Sequence, residues 1–259
     1  MRLYGLKTPI VKTGDKLVEI VSESLHARKL QLEENDVLVF TSKVVSLAEG
    51  HLVKLSSIRP SEKAKQLAHQ YMLTPEFAYL VLTEADKIYC GVPKAVLALK
   101  NGVLAANAGV DNKNAPEGYV VLLPEDPGKS AKKIRDELRR RTGKRVGVMI
   151  IDSGLAPLRI GTTGLTLAVA GFKPIKDHRR DKDLYGKTIT MTRQALADDL
   201  ASAAHFLMGE STEKTPIVLI KHAPVDLEDA AYAGADMMMP MDECLFMGTF
   251  QCHRDQSRA

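Results

Sequence analysis

The run Val146-Gly147-Val148-Met149-Ile150-Ile151 carries no polar side chain and then stops on Asp152-Ser153-Gly154. A stretch this short and this apolar reads as a buried strand. Its ending constrains the chain further. A carboxylate beside buried apolar residues is costly unless it finds a partner. The carboxyl end of a central strand is where α/β proteins gather ligands, and an acid there commonly holds a metal. A structural cap on the strand is the competing account of Asp152.

A second buried strand is expected at Val37-Leu38-Val39-Phe40, bounded by Asn35-Asp36. Before it, Leu17, Ile20, Val21 and Leu25 recur at helical spacing, with Asp15 as the expected cap. The first forty-five residues therefore read as an α/β unit. The strand runs into Thr41-Ser42-Lys43. Hydroxyls and an ammonium at a strand end can face a ligand, or can be ordinary turn residues.

Two helices are expected within residues 56–84, one beginning after Pro60 and one capped by Thr74 ahead of Pro75. Val96 to Leu99 reads as a strand, and Lys100-Asn101-Gly102-Val103 as a tight hairpin turn. The segment from Leu104 to Asn114 is a run of small residues followed by Asp111, Asn112 and Asn114. Oxygens of Asp and Asn suit hard divalent cations, but the same residues make a solvent-exposed Asx turn. Ser130 to Arg145 predicts a basic helix with Ile134 and Leu138 as its apolar seam. Its Lys and Arg residues, Arg135 among them, form either a solvated face or a phosphate-facing one.

Arg159, followed by Gly161 and Gly164, offers a clamp for phosphate or carboxylate. The charged stretch between Gly171 and Gly186 reads as a surface loop, and His178 within it as structural, exposed or catalytic. Thr192 is the expected cap of a helix reaching Met208, with Leu196, Leu200, Ala203, Ala204 and Leu207 buried and Asp198 and Asp199 opposite. After Gly209, the loop Glu210 to Thr215 has the hydroxyls and lysine seen in phosphate sites, without the glycine–lysine spacing of a P-loop. Met237 to Met239, Met241 and Met247 suit irregular cores or interfaces.

Composition narrows the function classes. The chain has 259 residues, 45% hydrophobic and 26% charged, with net charge +4. That mild excess suits a polyanionic small molecule as well as it suits nucleic acid. Aromatics at 5% and no tryptophan argue against base-stacking surfaces. Three cysteines in no zinc spacing read as free thiols of a reducing compartment, with a metal site at Cys244, Cys252 and His253 the minor alternative. No apolar stretch suggests a leader or a membrane span, so a cytoplasmic location is expected.

The order of these segments resembles the coenzyme F420-0:L-glutamate ligase family over about residues 5–222. The motifs are Thr41-Ser42-Lys43, Asn107 to Asn114, Asp152-Ser153, Arg159-x-Gly161, Asp183-Leu184-Tyr185-Gly186 and Met208-Gly209-Glu210. The resemblance implies an α+β fold with a mixed sheet, one domain over 1–222 built as two interlocked subdomains, and an intertwined homodimer. Residues 223–259 would be a C-terminal extension packing on the core or the dimer interface. It implies GTP-dependent ligation of L-glutamate to F420-0, or to another carboxylate acceptor, through an acyl phosphate; a catalytically silent nucleotide- and metal-binding protein is the alternative. Neither nucleic acid nor membrane is an expected partner. Two Mg2+ or Mn2+ ions would be held by Asp111, Asp152, Ser153 and Glu210, with a K+ ion as a further expectation. Pro9, Ile10, Val11, Lys12, Ser42, Lys43, Asn114, Met208, Gly209, Ser211, Thr212 and Lys214 match nucleotide-contacting positions. Asp111, Asp152 and Arg159 match catalytic ones.

The chain departs from the family pattern in three places. Leu47 stands where a lysine is usual, Leu155-Ala156 where Gly-Arg is usual, and Arg180 where a glycine is usual. The first two remove positive or flexible groups near the expected nucleotide.

Overall fold

The computed structural model describes residues 1–248. The chain opens with β1 (Arg2–Leu6), α1 (Leu17–Ala27), β2 (Val37–Thr41) and α2 (Ser42–Glu49). It continues through β3 (Leu52–Lys54), α3 (Glu62–Tyr71), α4 (Pro75–Glu84), β4 (Lys87–Val92), β5 (Ala95–Lys100), β6 (Val103–Ala106) and β7 (Tyr119–Val121). Then come α5 (Pro127–Thr142), β8 (Gly147–Leu155), β9 (Thr162–Phe172), β10 (Lys176–Asp177) and β11 (Arg193–Gln194). The chain closes with α6 (Leu196–Met208), β12 (Ile217–Lys221), β13 (Leu227–Ala233) and α7 (Gly234–Met237). Among the described residues no helix is long and apolar enough to cross a membrane.

Six strands form one mixed sheet in the order β1-β12-β2-β8-β9-β13. Only β2 and β8 are parallel neighbours; the other pairs are antiparallel. Side chains of the three central strands alternate between two cores, as the two-residue period of a strand requires. Leu38, Phe40, Val148, Ile150, Ile217 and Leu219 meet α1, α2 and α5 on one face. Val37, Val39, Met149, Ile151, Val218 and Ile220 meet α6 on the other. Both faces are covered, which is why these strands read as unbroken apolar runs rather than alternating ones.

A smaller unit is inserted between β2 and β8. Its three-stranded meander β4-β5-β6 and helices α3 and α4 share a separate core of Leu80, Val81, Val96, Ala98, Ala108, Val110 and Val120. The β5–β6 turn carries Asn101 at φ 49° and Gly102 at φ 78°, the left-handed pair that a two-residue hairpin demands. The side chains of Ser61 and Thr74 accept the capping hydrogen bonds of α3 and α4.

Several local expectations change. Asp15 does not cap α1; its carboxylate accepts from the Lys12 N–H instead. Thr192 does not cap α6, because residues 193–194 pair with β10 and push the helix start to Leu196. The buried stripe of α6 is Ala197, Leu200, Ala201, Ala204 and Met208, rotated from the expected one, and Leu207 is exposed. That rotation turns Asp198 inward, where it accepts from the Thr166 N–H of β9. Arg135 is not on the solvated face of α5: it is 5% exposed and donates to the Val146 carbonyl and to Asp229. Residues 227–233, within the expected C-terminal extension, pair with β9 as the edge strand of the main sheet. Cys90 and Cys244 are free thiols, while Cys252 and His253 lie outside the described residues.

Candidate active site

Sheet register gathers the site. β2 ends at Thr41 opposite Ile151, so Asp152 is the first residue of β8 to run past the end of its parallel neighbour. β12 is antiparallel to β2, which brings its start, Ile217, beside Phe40. The loop Gly209 to Pro216 therefore lies on the same rim. β1 is antiparallel to β12 and ends with Leu6 opposite Ile217, delivering Thr8 to Val11 there too. β9 starts at Thr162 opposite Leu155. The fifth contributor comes from the smaller unit, where Asp111 bridges Val121 next to β7.

These segments enclose a cavity of about 740 Å³. Of the residues expected in the site, Pro9, Ile10, Val11, Lys43, Asp111, Asn114, Asp152, Ser153, Met208, Gly209, Glu210, Ser211, Thr212 and Lys214 line it. Ser42 lies just behind, and its hydroxyl bonds Asp152. Lys12 is exposed and does not line the cavity. Arg159 is exposed on the β8–β9 loop and does not reach the cavity in this chain. The reason is geometric: β8 and β9 run on as a two-stranded ribbon beyond the rim and carry the loop outward.

The three carboxylates differ in what already surrounds them. Asp152 is half-buried, and loss of water pushes its carboxyl above the usual range; the Ser153 N–H, the Ser42 hydroxyl and the more distant Lys43 ammonium only partly offset this. Both oxygens of Asp111 are engaged, one by the Lys113 N–H at 2.7 Å and one by the Lys43 ammonium at 2.6 Å. Glu210 is the most heavily hydrogen-bonded. Burial opposes its charge, but the Lys113 ammonium, the Thr162 and Ser153 hydroxyls and His205 outweigh it and hold the carboxyl far below its ordinary value. Lys113 reaches Glu210 at 2.6 Å, and His205 on α6 reaches it at 2.8 Å.

The backbone shapes the same wall. Gly209 follows α6 with φ 73°, and a Cβ there would meet the Glu213 side chain at 2.2 Å. Only glycine can make this turn and aim Glu210 at the cavity. Helix α2 begins at Ser42 with no side-chain cap and no acid in its first turn. Its free N–H groups and positive dipole end make an anion-favouring rim beside Lys43.

Sequence reasoning missed Lys113, His205 and Thr162. Lys113 sits inside the segment singled out for Asp111 and Asn114, and its charge was the available signal. His205 lies three residues before Met208, on a helix expected to end at the site. Thr162 carried no signal, because it reaches Glu210 only once β9 pairs with β8 past the rim. Hard oxygen donors on Asp111, Asp152, Glu210 and Ser153 suit Mg2+ or Mn2+. Among the described residues, however, no three histidine, cysteine or carboxylate side chains are grouped closely enough to hold a metal as they stand.

The departures from the family pattern also have places. Leu47 lines the cavity while packing on the core. Leu155 is exposed on the ribbon. Arg180 adopts φ 83°, so the backbone keeps the left-handed form that glycine favours although the side chain has changed.

The family profile for F420-0:gamma-glutamyl ligase matches residues 5–222. The coenzyme F420:L-glutamate ligase of Methanopyrus kandleri is 42% identical over 219 residues, covering 84% of this chain and 85% of its own. The enzyme of that name from Archaeoglobus fulgidus is 38% identical over 213 residues, covering 82% and 84%. The one from Methanocaldococcus jannaschii is 35% identical over 249 residues, covering 95% and 96%.

Proposed function

The chain belongs to the F420-0:gamma-glutamyl ligase family, and from that premise we propose that it ligates L-glutamate to coenzyme F420-0 at the expense of GTP. The observation that supports this most is the convergence of four strand-end segments and the Asp111 loop on one cavity that pairs carboxylates with an anion-favouring helix end. Ligation through an acyl phosphate needs both: cationic groups against a triphosphate, and acids that hold a divalent ion.

In this reading an acceptor carboxylate oxygen bonds to the γ-phosphorus of GTP, and the bond from that phosphorus to its bridging oxygen breaks, releasing GDP. The glutamate amine then attacks the acyl carbon, loses a proton, and inorganic phosphate leaves. The α2 N–H groups, Lys43 and Lys214 face the phosphate oxygens. Pro9 to Val11 and Gly209 to Thr212, which extend from the paired strands β1 and β12, line the nucleotide's place, and Asn114 ties the two acid-bearing loops together by donating to the Ser211 carbonyl. Asp152 and Ser153 are the residues best placed to hold a divalent ion. Mg2+ or Mn2+, when bound, would neutralise charge on the transferring phosphoryl group. The hydrogen bonds on Glu210 keep that wall charged and oriented.

We also propose that the chain works as a homodimer. Leu158 and Ile160 on the β8–β9 loop, and Leu184, Tyr185 and Met191 between β10 and β11, are exposed. Apolar side chains gathered on two projecting segments suit burial against a second copy. A different carboxylate acceptor is the second reading, favoured by Leu47, which puts an isobutyl group in the cavity where the family usually has an ammonium.

The test is incubation of the purified protein with F420-0, L-glutamate, GTP and Mn2+, followed by mass spectrometry of the coenzyme. A product heavier by one glutamyl unit is expected. Unchanged F420-0, with a glutamyl adduct appearing on another carboxylate in parallel reactions, would move the assignment to the second reading.

A further inference from the structure

Lys113 stands in an unusual place for a cation-binding site. Its ammonium lies 2.6 Å from Glu210, and its backbone N–H donates to Asp111. Its carbonyl accepts from Lys43 at 2.6 Å, which ties the Lys113 backbone to the ammonium that also holds Asp111. Besides this contact with Glu210, the ammonium is drawn at longer range by the charges of Asp111 and Asp152. One ammonium thus feels all three acids expected to hold metal.

Counting partners separates those acids. Asp111 has both oxygens occupied. Glu210 takes His205, Ser153 and Thr162 on one oxygen and Lys113 on the other. Asp152 alone has no ammonium in contact; its partners are the Ser42 hydroxyl and the Ser153 N–H. Of the three carboxylates only Asp152 is left without an ammonium, so one position is open to a divalent ion. A second ion would have to sit against the Lys113 ammonium or displace it from Glu210.

We propose that the Lys113 ammonium takes the place of one of the two expected divalent cations, so that this chain binds a single Mg2+ or Mn2+ ion, at Asp152. The inference rests on the metal-dependent reading above and alters its stoichiometry. It makes Lys113 a resident cation bridging the Asp111 loop to Glu210, present whether or not metal is bound.

Mn2+ binding, counted by equilibrium dialysis and by the loss of free-ion paramagnetic resonance signal, tests this without any turnover. The intact protein, saturated with a non-hydrolysable GTP analogue, should bind one Mn2+ per chain. Lys113→Ala should bind two, and Lys113→Arg, which keeps the charge, should bind one. Far-ultraviolet dichroism verifies that each variant is folded. Two ions in the unaltered protein, or one in Lys113→Ala, would overturn the inference while leaving metal dependence intact. No Mn2+ on any of the three proteins would overturn both the inference and the metal-dependent reading.

Discussion

The two ends of the β8–β9 pair behave as different materials. At the rim, Ile151 is buried between α6 and the sheet, and Asp152 is held by Ser42 and the Ser153 N–H. A few residues further on, Leu158 and Ile160 are fully exposed and Arg159 touches nothing in the cavity. Pairing continues to Leu155 and Thr162, and the exposed residues lie in the loop that joins the two strands. The contrast comes from neighbours as well as from the end of strand pairing. The root is flanked by β2, α2 and α6; the tip has only its own partner strand. A side chain at the root is positioned by register. A side chain at the tip has no fixed surroundings within one copy of the chain.

The sharpest way to break this contrast is at the root. Asp152→Ala should abolish Mn2+ binding and lower ligation by more than about a thousandfold, because several kcal/mol of charge stabilisation at the phosphoryl group go with the ion. Product quantified by mass spectrometry and Mn2+ counted by dialysis would check it; activity near that of the unaltered protein would remove Asp152 from the site. At the tip, Leu158→Asp with Ile160→Asp should convert a dimer to a monomer in sedimentation velocity while leaving the thermal melt little changed. A dimer in both proteins would mean that the tips are not the interface.

Smaller effects sharpen the same comparison. Leu47→Lys restores an ammonium to the cavity wall and should tighten GTP binding by about 1–3 kcal/mol if a charge-assisted contact forms. Titration calorimetry reads this directly, and an unchanged Kd would mean that residue 47 does not face the phosphates. The smallest effect is expected beyond the ribbon, at Arg180. Its φ of 83° is unfavourable for any residue with a Cβ, so Arg180→Gly should relieve about 1 kcal/mol of strain, in part offset by added freedom in the unfolded chain. A small rise in Tm checks it; a fall would show that the arginine side chain contributes more than its backbone loses.

How much was legible varied with the range of the interaction that decided each residue. The hairpin at Asn101-Gly102 and the caps Ser61 and Thr74 depend on neighbours within four residues, and local chemistry announces them. The stripe of α6 is phased differently from the expected one because Ala201 packs closely against Gly164 of β9, an approach that no helical periodicity contains. Arg135 looked like one more surface charge until β13 brought Asp229 to it. His205 and Thr162, which are 43 residues apart in the chain, meet on Glu210 from two different elements.

The amino-acid sequence by itself determined several of the strands, among them β2, β5 and β8, most of the helices and the family. Those follow from apolar runs, turn chemistry and ordered motifs, all of which are properties of short segments. Only the tertiary structure decided that the loops after β1 and before β12 share a rim with Asp152, that Arg159 is carried away from it, and that Lys113 stands among the acids. These depend on strand order and register in a mixed sheet. Sheet pairing joins segments by hydrogen bonds that any backbone can make, so the order of strands leaves little trace in any one of them.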